Sequence, residues 1–389
     1  MKRYYEDSYT VEFDALVSHI EPDRLYLSHT YFYPESGGQP SDWGMINDQM
    51  VRQVILENDD RIAHAIKNPH QFQVGQTVHG QIDWDRRFDH MQQHSGQHLL
   101  SGLLNLYFQA STISFHLGSE LSTIDIHASN PVNPDEIEDI LNRHILMGIP
   151  ITATLYAEHE QIPDITLRKP PKVERNIRIV TIGDIDSSPC GGTHLRNTSE
   201  LQIGKIISIE PYKKGYRLGF VFGRRALQLF SREHSIIQDL TRLTSSPFSE
   251  LPLTIQNLLL EKTKLRGDLD RLLDDVYRQR TESLIREAQI KNRTRIIIAC
   301  LDATADYLKR TSLFLSETPS MIALLYNRDG AFVLLTNCEP AIDGRSLISQ
   351  ETWKGGGTPK LVQGRFIEPE SLQAIIHRVS TRIMNTDLP

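Results

Sequence analysis

Two short segments about a hundred residues apart constrain this chain more than any other feature. The first is a helix-like stretch, Asp89-His90-Met91-Gln92-Gln93-His94-Ser95-Gly96-Gln97-His98-Leu99-Leu100, and the second is Cys190-Gly191-Gly192-Thr193-His194. Side chains four apart in an α-helix lie on one face, so His90 and His94 point the same way and offer half of a tetrahedral metal site. Cys190 and His194 offer the other half, a thiolate and an imidazole. That mixture of nitrogen and sulfur donors suits Zn²⁺, and the Gly191-Gly192 pair lets the backbone turn between them. The expected ligands are therefore His90, His94, Cys190 and His194. His98 extends the series to HxxxHxxxH, but two turns from His90 is too far along the axis for one small ion, so His98 is expected to pack or to support. A zinc peptidase would need a glutamate inside the motif, where this chain has Met91, Gln92 and Gln93.

A chain of 389 residues is long enough for two or three domains, each with its own core. No apolar run approaches the roughly 20 residues that span a bilayer, and the start, Met1-Lys2-Arg3-Tyr4-Tyr5, lacks the apolar centre of a signal peptide. Three cysteines, Cys190, Cys300 and Cys338, are too few for a disulfide framework. The expectation is a cytoplasmic protein in which Cys190 stays a thiolate. The net charge of −7 is uneven. Residues 1–60 carry twelve acids against four bases, whereas 201–235 carry seven bases (Lys205, Lys213, Lys214, Arg217, Arg224, Arg225, Arg232) against Glu210 and Glu233. A local basic face suffices to bind phosphates, so overall acidity does not exclude a nucleic acid.

Alternating and β-branched runs predict short strands at Tyr9–Val17, Arg24–Leu27, Met50–Ile55 and Val78–Ile82, spaced as in a small β-barrel. Between them lies the turn-forming stretch Thr30-Tyr31-Phe32-Tyr33-Pro34-Glu35-Ser36-Gly37-Gly38-Gln39-Pro40. The metal helix is placed at 88–109, with Leu99, Leu100, Leu103 and Leu104 toward the core. A hairpin at 115–126 follows, with His116 either near the pocket or simply structural. Pro134–Leu146 has the spacing of an amphipathic helix. Further strands are placed at Ile151–Tyr156, Ile177–Ile182, Ile203–Glu210 and Tyr216–Phe222, and a helix from Gly223 to about residue 243. Thr244–Ser249 is the polar break. Beyond it Leu258, Leu265, Leu269, Leu272 and Val276 form a coiled-coil-like stripe, a helical arm or a dimer seam. Continuous apolar runs at 295–300 and 321–326 read as buried strands, with Ala331–Thr336 as another and Pro369–Met384 as a helix. Trp353-Lys354-Gly355-Gly356-Gly357-Thr358-Pro359 lacks a P-loop ending, yet successive glycine amides could form an anion-binding concavity. The divisions expected are 1–87, a barrel with a glycine-rich loop; 88–243, a zinc-binding α+β core; 244–290, a helical linker; and 291–389, a C-terminal α/β domain.

The HxxxH and CxxxH halves with their flanks, together with Phe115-His116-Leu117-Gly118 and Ser122-Thr123-Ile124-Asp125, resemble the editing domain of alanyl-tRNA synthetase and its free-standing relatives. The resemblance runs along nearly the whole chain, and the Gly355–Gly357 region is similar to the glycine-rich, tRNA-contacting C-terminal (DHHA1-type) domain of the longer, AlaX-like type. The resemblance implies hydrolysis of the ester joining serine, or glycine, to tRNA for alanine, in a Zn²⁺-containing pocket. It also implies that Thr30, Gly37, Gly38 and Gln39 line that pocket, Thr30 separating serine from alanine, although Ser36 stands where the family usually has a third glycine. The tRNA contacts expected are Lys213, Lys214, Arg217, Arg224, Arg225, Lys354, Gly355, Gly356 and Gly357. A homodimer through the 250–285 helices or the C-terminal domain is expected, and no membrane. No catalytic side chain stands out; a zinc-bound water is one source of the nucleophile. The alternative is a non-catalytic, zinc-stabilised tRNA-binding protein.

Overall fold

A computed structural model describes residues 2–128, 131–367 and 371–386, in two units, Met1–Leu240 and Thr241–Pro389. The first unit opens with seven antiparallel strands: β1 (Glu12–Glu21), β2 (Arg24–Leu27), β3 (Gly44–Ile46), β4 (Gln49–Val51), β5 (Gln53–Leu56), β6 (Ile62–Ala65) and β7 (Thr77–Ile82). Period-two alternation buries Phe13, Ala15 and Val17 while Glu12, Asp14 and Leu16 face outward. A bulge between Val17 and His19 bends β1, so its first half pairs with β7 and its second with β2. The strand order is β4-β3-β7-β1-β2-β6-β5. Its two edges, β4 and β5, are joined through Arg52 alone. One residue cannot cross a flat sheet whose strands lie about 4.8 Å apart, so the sheet curls until its edges approach, close to the expected barrel. The expected single strand Met50–Ile55 is thus two, lying at opposite edges. Phe32, Leu25, Ile46 and Val54 fill the interior.

The long helix α1 (Trp84–Phe108) starts at Asp83, whose carboxylate accepts from the Arg86 amide, and ends at Gln109 in the left-handed region. Every residue from His90 to Leu104 is buried. Its leucines meet β8 (Ser111–Leu117), β9 (Ser122–His127) and α2 (Pro134–Leu146), while its polar side chains meet loops from all around. Next come β10 (Ile151–Glu158), β11 (Arg175–Ile182), β12 (Asp186–Pro189), β13 (Gly204–Tyr212), β14 (Gly215–Phe222) and α3 (Arg224–Thr244). They complete a three-stranded sheet, β10-β11-β12, and a four-stranded one, β13-β14-β9-β8, giving the α+β core.

The second unit carries α4 (Leu251–Arg286), β15 (Gln289–Lys291), β16 (Thr294–Cys300), α5 (Ala305–Leu315), β17 (Met321–Tyr326), β18 (Ala331–Asn337), α6 (Gly344–Ile348), β19 (Trp353–Thr358), β20 (Leu361–Phe366) and α7 (Leu372–Asn385). The sheet order is β15-β16-β17-β18-β20-β19, with β16 and β17 parallel across α5 and the other pairs antiparallel. Two expectations change here. The Lys354–Gly357 stretch is not a loop but the edge strand of a hairpin, Gly355 opposite Gly364 and Gly357 opposite Val362. Its amides therefore lie along an extended ladder rather than converging on one point. The last helix begins after Ser371, which caps it; Pro369, where its start was expected, lies outside the described residues. On α4 the stripe Leu258, Leu265, Leu269, Leu272 and Val276 is exposed. Among the described residues no helix is long and apolar enough to cross a membrane.

Candidate metal centre and the cleft beside it

Four side chains converge where α1 meets the loop after β12: His94, His98, Cys190 and His194, with one potential ligand atom from each lying within 4.8 Å of the others. The Cys190 Sγ stands 3.4 Å from His94 Nε2 and 3.3 Å from His194 Nε2. A zinc tetrahedron with bonds of 2.0–2.3 Å has donor–donor edges of about 3.3–3.6 Å, which the two edges at Cys190 match. Gly192 makes the approach feasible, since a Cβ there would lie 2.2 Å from His94 Cε1.

Each imidazole is held from behind through Nδ1, leaving Nε2 for the centre. His94 Nδ1 lies 2.8 Å from Gln39 Oε1, His98 Nδ1 lies 2.8 Å from Asp186 Oδ2, and His194 Nδ1 lies 3.2 Å from Ser95 Oγ. The directions are mutually consistent. Gln39 Oε1 also accepts from the Thr193 amide while its nitrogen donates to Thr193 Oγ1, and Ser95 Oγ accepts from the Leu195 amide. Such backing fixes tautomer and ring orientation. Burial alone would raise the Cys190 thiol, but His94, His194 and His98 hold it well below its ordinary value. Burial pushes His194 down to about 3. Burial also opposes charge on His98, yet Cys190 and Asp186 pull it up to about 9. Both shifts favour charge separation between the Cys190 sulfur and the His98 ring, and a bound cation would compete with the proton on that ring.

The fourth position corrects the sequence reading. His98 belongs to the group, and His90 does not. Four residues advance a helix by about 6 Å, so only one neighbour of His94 can share its ion. The choice is made by β12. Gly102 lets the turn before β12 pack against the C-terminal half of α1, where a Cβ would meet the Ile185 carbonyl at 2.7 Å. Asp186 then reaches His98. His90 is left at the other end, its Nδ1 without a hydrogen-bond partner, beside Arg86, Arg225 and Arg87.

Comparison with known proteins places the chain in a family. The alanyl-tRNA editing protein AlaX-L of Pyrococcus horikoshii is 32% identical over 95% of this chain and 95% of its own length. This chain belongs to the alanyl-tRNA editing proteins. The family member Aarsd1 of Danio rerio is 34% identical over 63% of this chain and 64% of its own. The alanine–tRNA ligase of Pyrococcus abyssi is 29% identical over 97% of this chain, which spans 43% of that ligase. The model for class II (A) tRNA synthetases matches residues 6–86, and the model for the second additional domain of threonyl and alanyl tRNA synthetases matches 177–218.

The other expected site residues of this editing protein divide. Gln39 is buried, its side chain hydrogen-bonded to His94 and Thr193. Gly37 and Gly38 form the positive-φ turn ahead of it. Thr30 lines a cleft of about 1020 Å³ that opens beside Cys190. Its hydroxyl donates to His64 Nε2 and accepts from the Phe32 amide; His64, pushed down to about 4 by burial, is neutral and gives its Nδ1 proton to the Leu25 carbonyl. His116 is exposed on β8. Much of the expected tRNA face is already neutralised. Arg217 is bidentate on Asp125, Arg225 is bidentate on Asp89, Arg224 pairs with Asp85 and Lys205 with Glu138. Lys213 and Lys214 stand exposed at the hairpin tip.

Reading along the sequence missed Asp186 and the stretch Arg168-Lys169-Pro170-Pro171-Lys172-Val173-Glu174-Arg175-Asn176-Ile177-Arg178, which has five bases and one acid. The signal is a local charge excess, less conspicuous than the larger basic window at 201–235. Lys169, Lys172, Arg175 and Arg178 all line the cleft beside Cys190.

Proposed function

We propose that this editing protein is an aminoacyl-tRNA hydrolase that removes a wrongly attached amino acid, serine foremost and glycine besides, from tRNA for alanine. The supporting observation is the convergence of His94, His98, Cys190 and His194 at the edge of a cleft that also contains Thr30. The proposed ligands of Zn²⁺ are those four residues. When bound, the ion supplies positive charge next to the ester and ties the loop to α1; with four protein donors a tetrahedral site is closed, which favours a positioning role. Gln39, Asp186 and Ser95 keep the three imidazoles turned inward. Thr30, its proton held by His64, keeps one lone pair that can accept from the hydroxyl of a seryl side chain, where a polar partner that goes unmatched costs about 1–3 kcal/mol. Further tRNA contacts in the reading are Lys213 and Lys214, and, in the second unit, Lys354 with Gly355, Gly356 and Gly357. The exposed α4 stripe is read as a homodimer seam, which sedimentation of the purified chain checks.

The test is release of serine from seryl-tRNA for alanine. Wild type frees serine and His98→Ala does not. Tight tRNA binding with no serine release by wild type would overturn the reading in favour of a zinc-stabilised binding protein.

A further inference from the structure

The cleft beside the metal centre has a charge distribution that the metal does not explain. Its acids are already matched, Asp60 with Lys2 and Asp59 with Arg61. Lining it too are β11 and the segment leading into it, where Lys169, Lys172, Arg175 and Arg178 make no ion pair within 4 Å among the described residues; Glu158 lies opposite Arg175 in the β10–β11 ladder and Asp186 acts on Lys169 from farther away. Glu174, on the same segment, is exposed and does not line the cleft. Burial of Lys169 and the like charges of Arg168 and Lys172 hold its ammonium below the usual value, a crowding that an anion relieves. Arg178 anchors the inner end. It donates to the Cys190 and Gly192 carbonyls at 2.9 Å each, and its guanidinium faces the Tyr5 ring at 5.3 Å.

The segment is also tied to the centre. Arg168, next to Lys169, donates to Asp186 at 2.6 Å, and Asp186 holds His98. A cleft of about 1020 Å³ is at the top of the range for small-molecule sites, more than a free amino acid fills.

We propose that Lys169, Lys172 and Arg175 form a phosphate-binding wall that grips the single-stranded phosphodiester chain at the 3′ end of the tRNA and leads its terminal ester to the centre. This rests on the proposed function, since it names where that function's substrate lies. Backbone contact of this kind is sequence-independent, salt-sensitive and separable from the chemistry.

The experiment compares wild type with the triple variant Lys169→Ala/Lys172→Ala/Arg175→Ala. Three readouts are taken: binding of uncharged tRNA for alanine by anisotropy across a salt series, serine release from seryl-tRNA, and serine release from 3′-O-seryl-adenosine, which has no phosphate. Losing three phosphate contacts should flatten the log–log salt dependence by roughly 2 and weaken tRNA binding on the order of 100-fold at low salt. Release from seryl-tRNA should fall in kcat/KM by a similar factor, while release from seryl-adenosine and metal content stay unchanged. An unchanged salt slope and affinity would overturn the wall. So would an equal loss on both esters with the slope intact, which marks a structural role. Should wild type release serine from neither ester, the proposed function fails, and the tRNA salt series still decides the wall.

Discussion

Two overlapping HxxxH pairs on α1 share His94 and meet different fates. In the second pair, His94 and His98 face a loop that brings Cys190 and His194, and each ring is backed by an outer partner. In the first pair, His90 has the same four-residue spacing to His94 but lies near Arg86, Arg225 and Arg87 and outside the donor set. Spacing along a helix therefore supplies candidates, and the segment that packs across them selects. Here the selector is the close passage of β12 past Gly102.

The sharpest way to break this contrast is a pair of alanine variants. His98→Ala should lose the metal and cut serine release by about 10³-fold or more, of order 4 kcal/mol, while His90→Ala keeps both; elemental analysis and initial rates report the outcome, and the reverse ranking would restore the first reading. Next in size is Asp186→Asn, which keeps shape but removes the carboxylate behind His98; metal affinity should fall about 10- to 100-fold in competition with a chelating dye. The third concerns acid. His90 is pushed down to about 3 by burial and by Arg86, Arg225 and Arg87. With a folded value below the unfolded one near 6.5, its neutral form supports folding above that pH, and the support fades as pH falls toward 3. Between pH 6.5 and 4.5 wild type should lose roughly 2 kcal/mol more stability than His90→Leu, measured by urea midpoints at each pH. The smallest effect is expected from Gly102→Ala. Crowding against Ile185 outweighs the gain in helix propensity, for a net loss of about 1 kcal/mol and a weaker hold on metal.

A second contrast teaches the same point about charge. The window 201–235 looked like the basic face, yet Asp85, Asp89, Asp125 and Glu138, all distant in sequence, close upon its cations. The shorter run 168–178 keeps most of its charge: Arg168 pairs with Asp186, while the cleft acids Asp59 and Asp60 are matched by Arg61 and Lys2. Local patterns were the most legible: α2 occupies Pro134–Leu146 as expected, since Asn133 caps it, proline starts it, and Ile137, Leu141 and Ile145 give it one apolar side. The membership of His94, Cys190 and His194 in one cluster was legible for a similar reason, as each half is a short motif. What resisted reading depends on distant pairing. Met50–Ile55 divides at Arg52 because the curled sheet assigns its halves to opposite edges. The glycines at 355–357 enter a ladder because β20 supplies the partner strand. Gln39 turns toward His94 because Thr193 fixes its amide.

The donors come as two pairs, and Cys190 stands 96 positions from His94 along the chain. An ion bound by all four, as proposed, would act as a removable staple across a loop of that span, a constraint comparable to a cross-link worth about 4–5 kcal/mol in the unfolded ensemble. Enclosed within the loop are α2, β10, β11 and the cationic segment. On that proposal, the supply of the metal would govern how much of this chain survives proteolysis, through folding as well as through any chemistry.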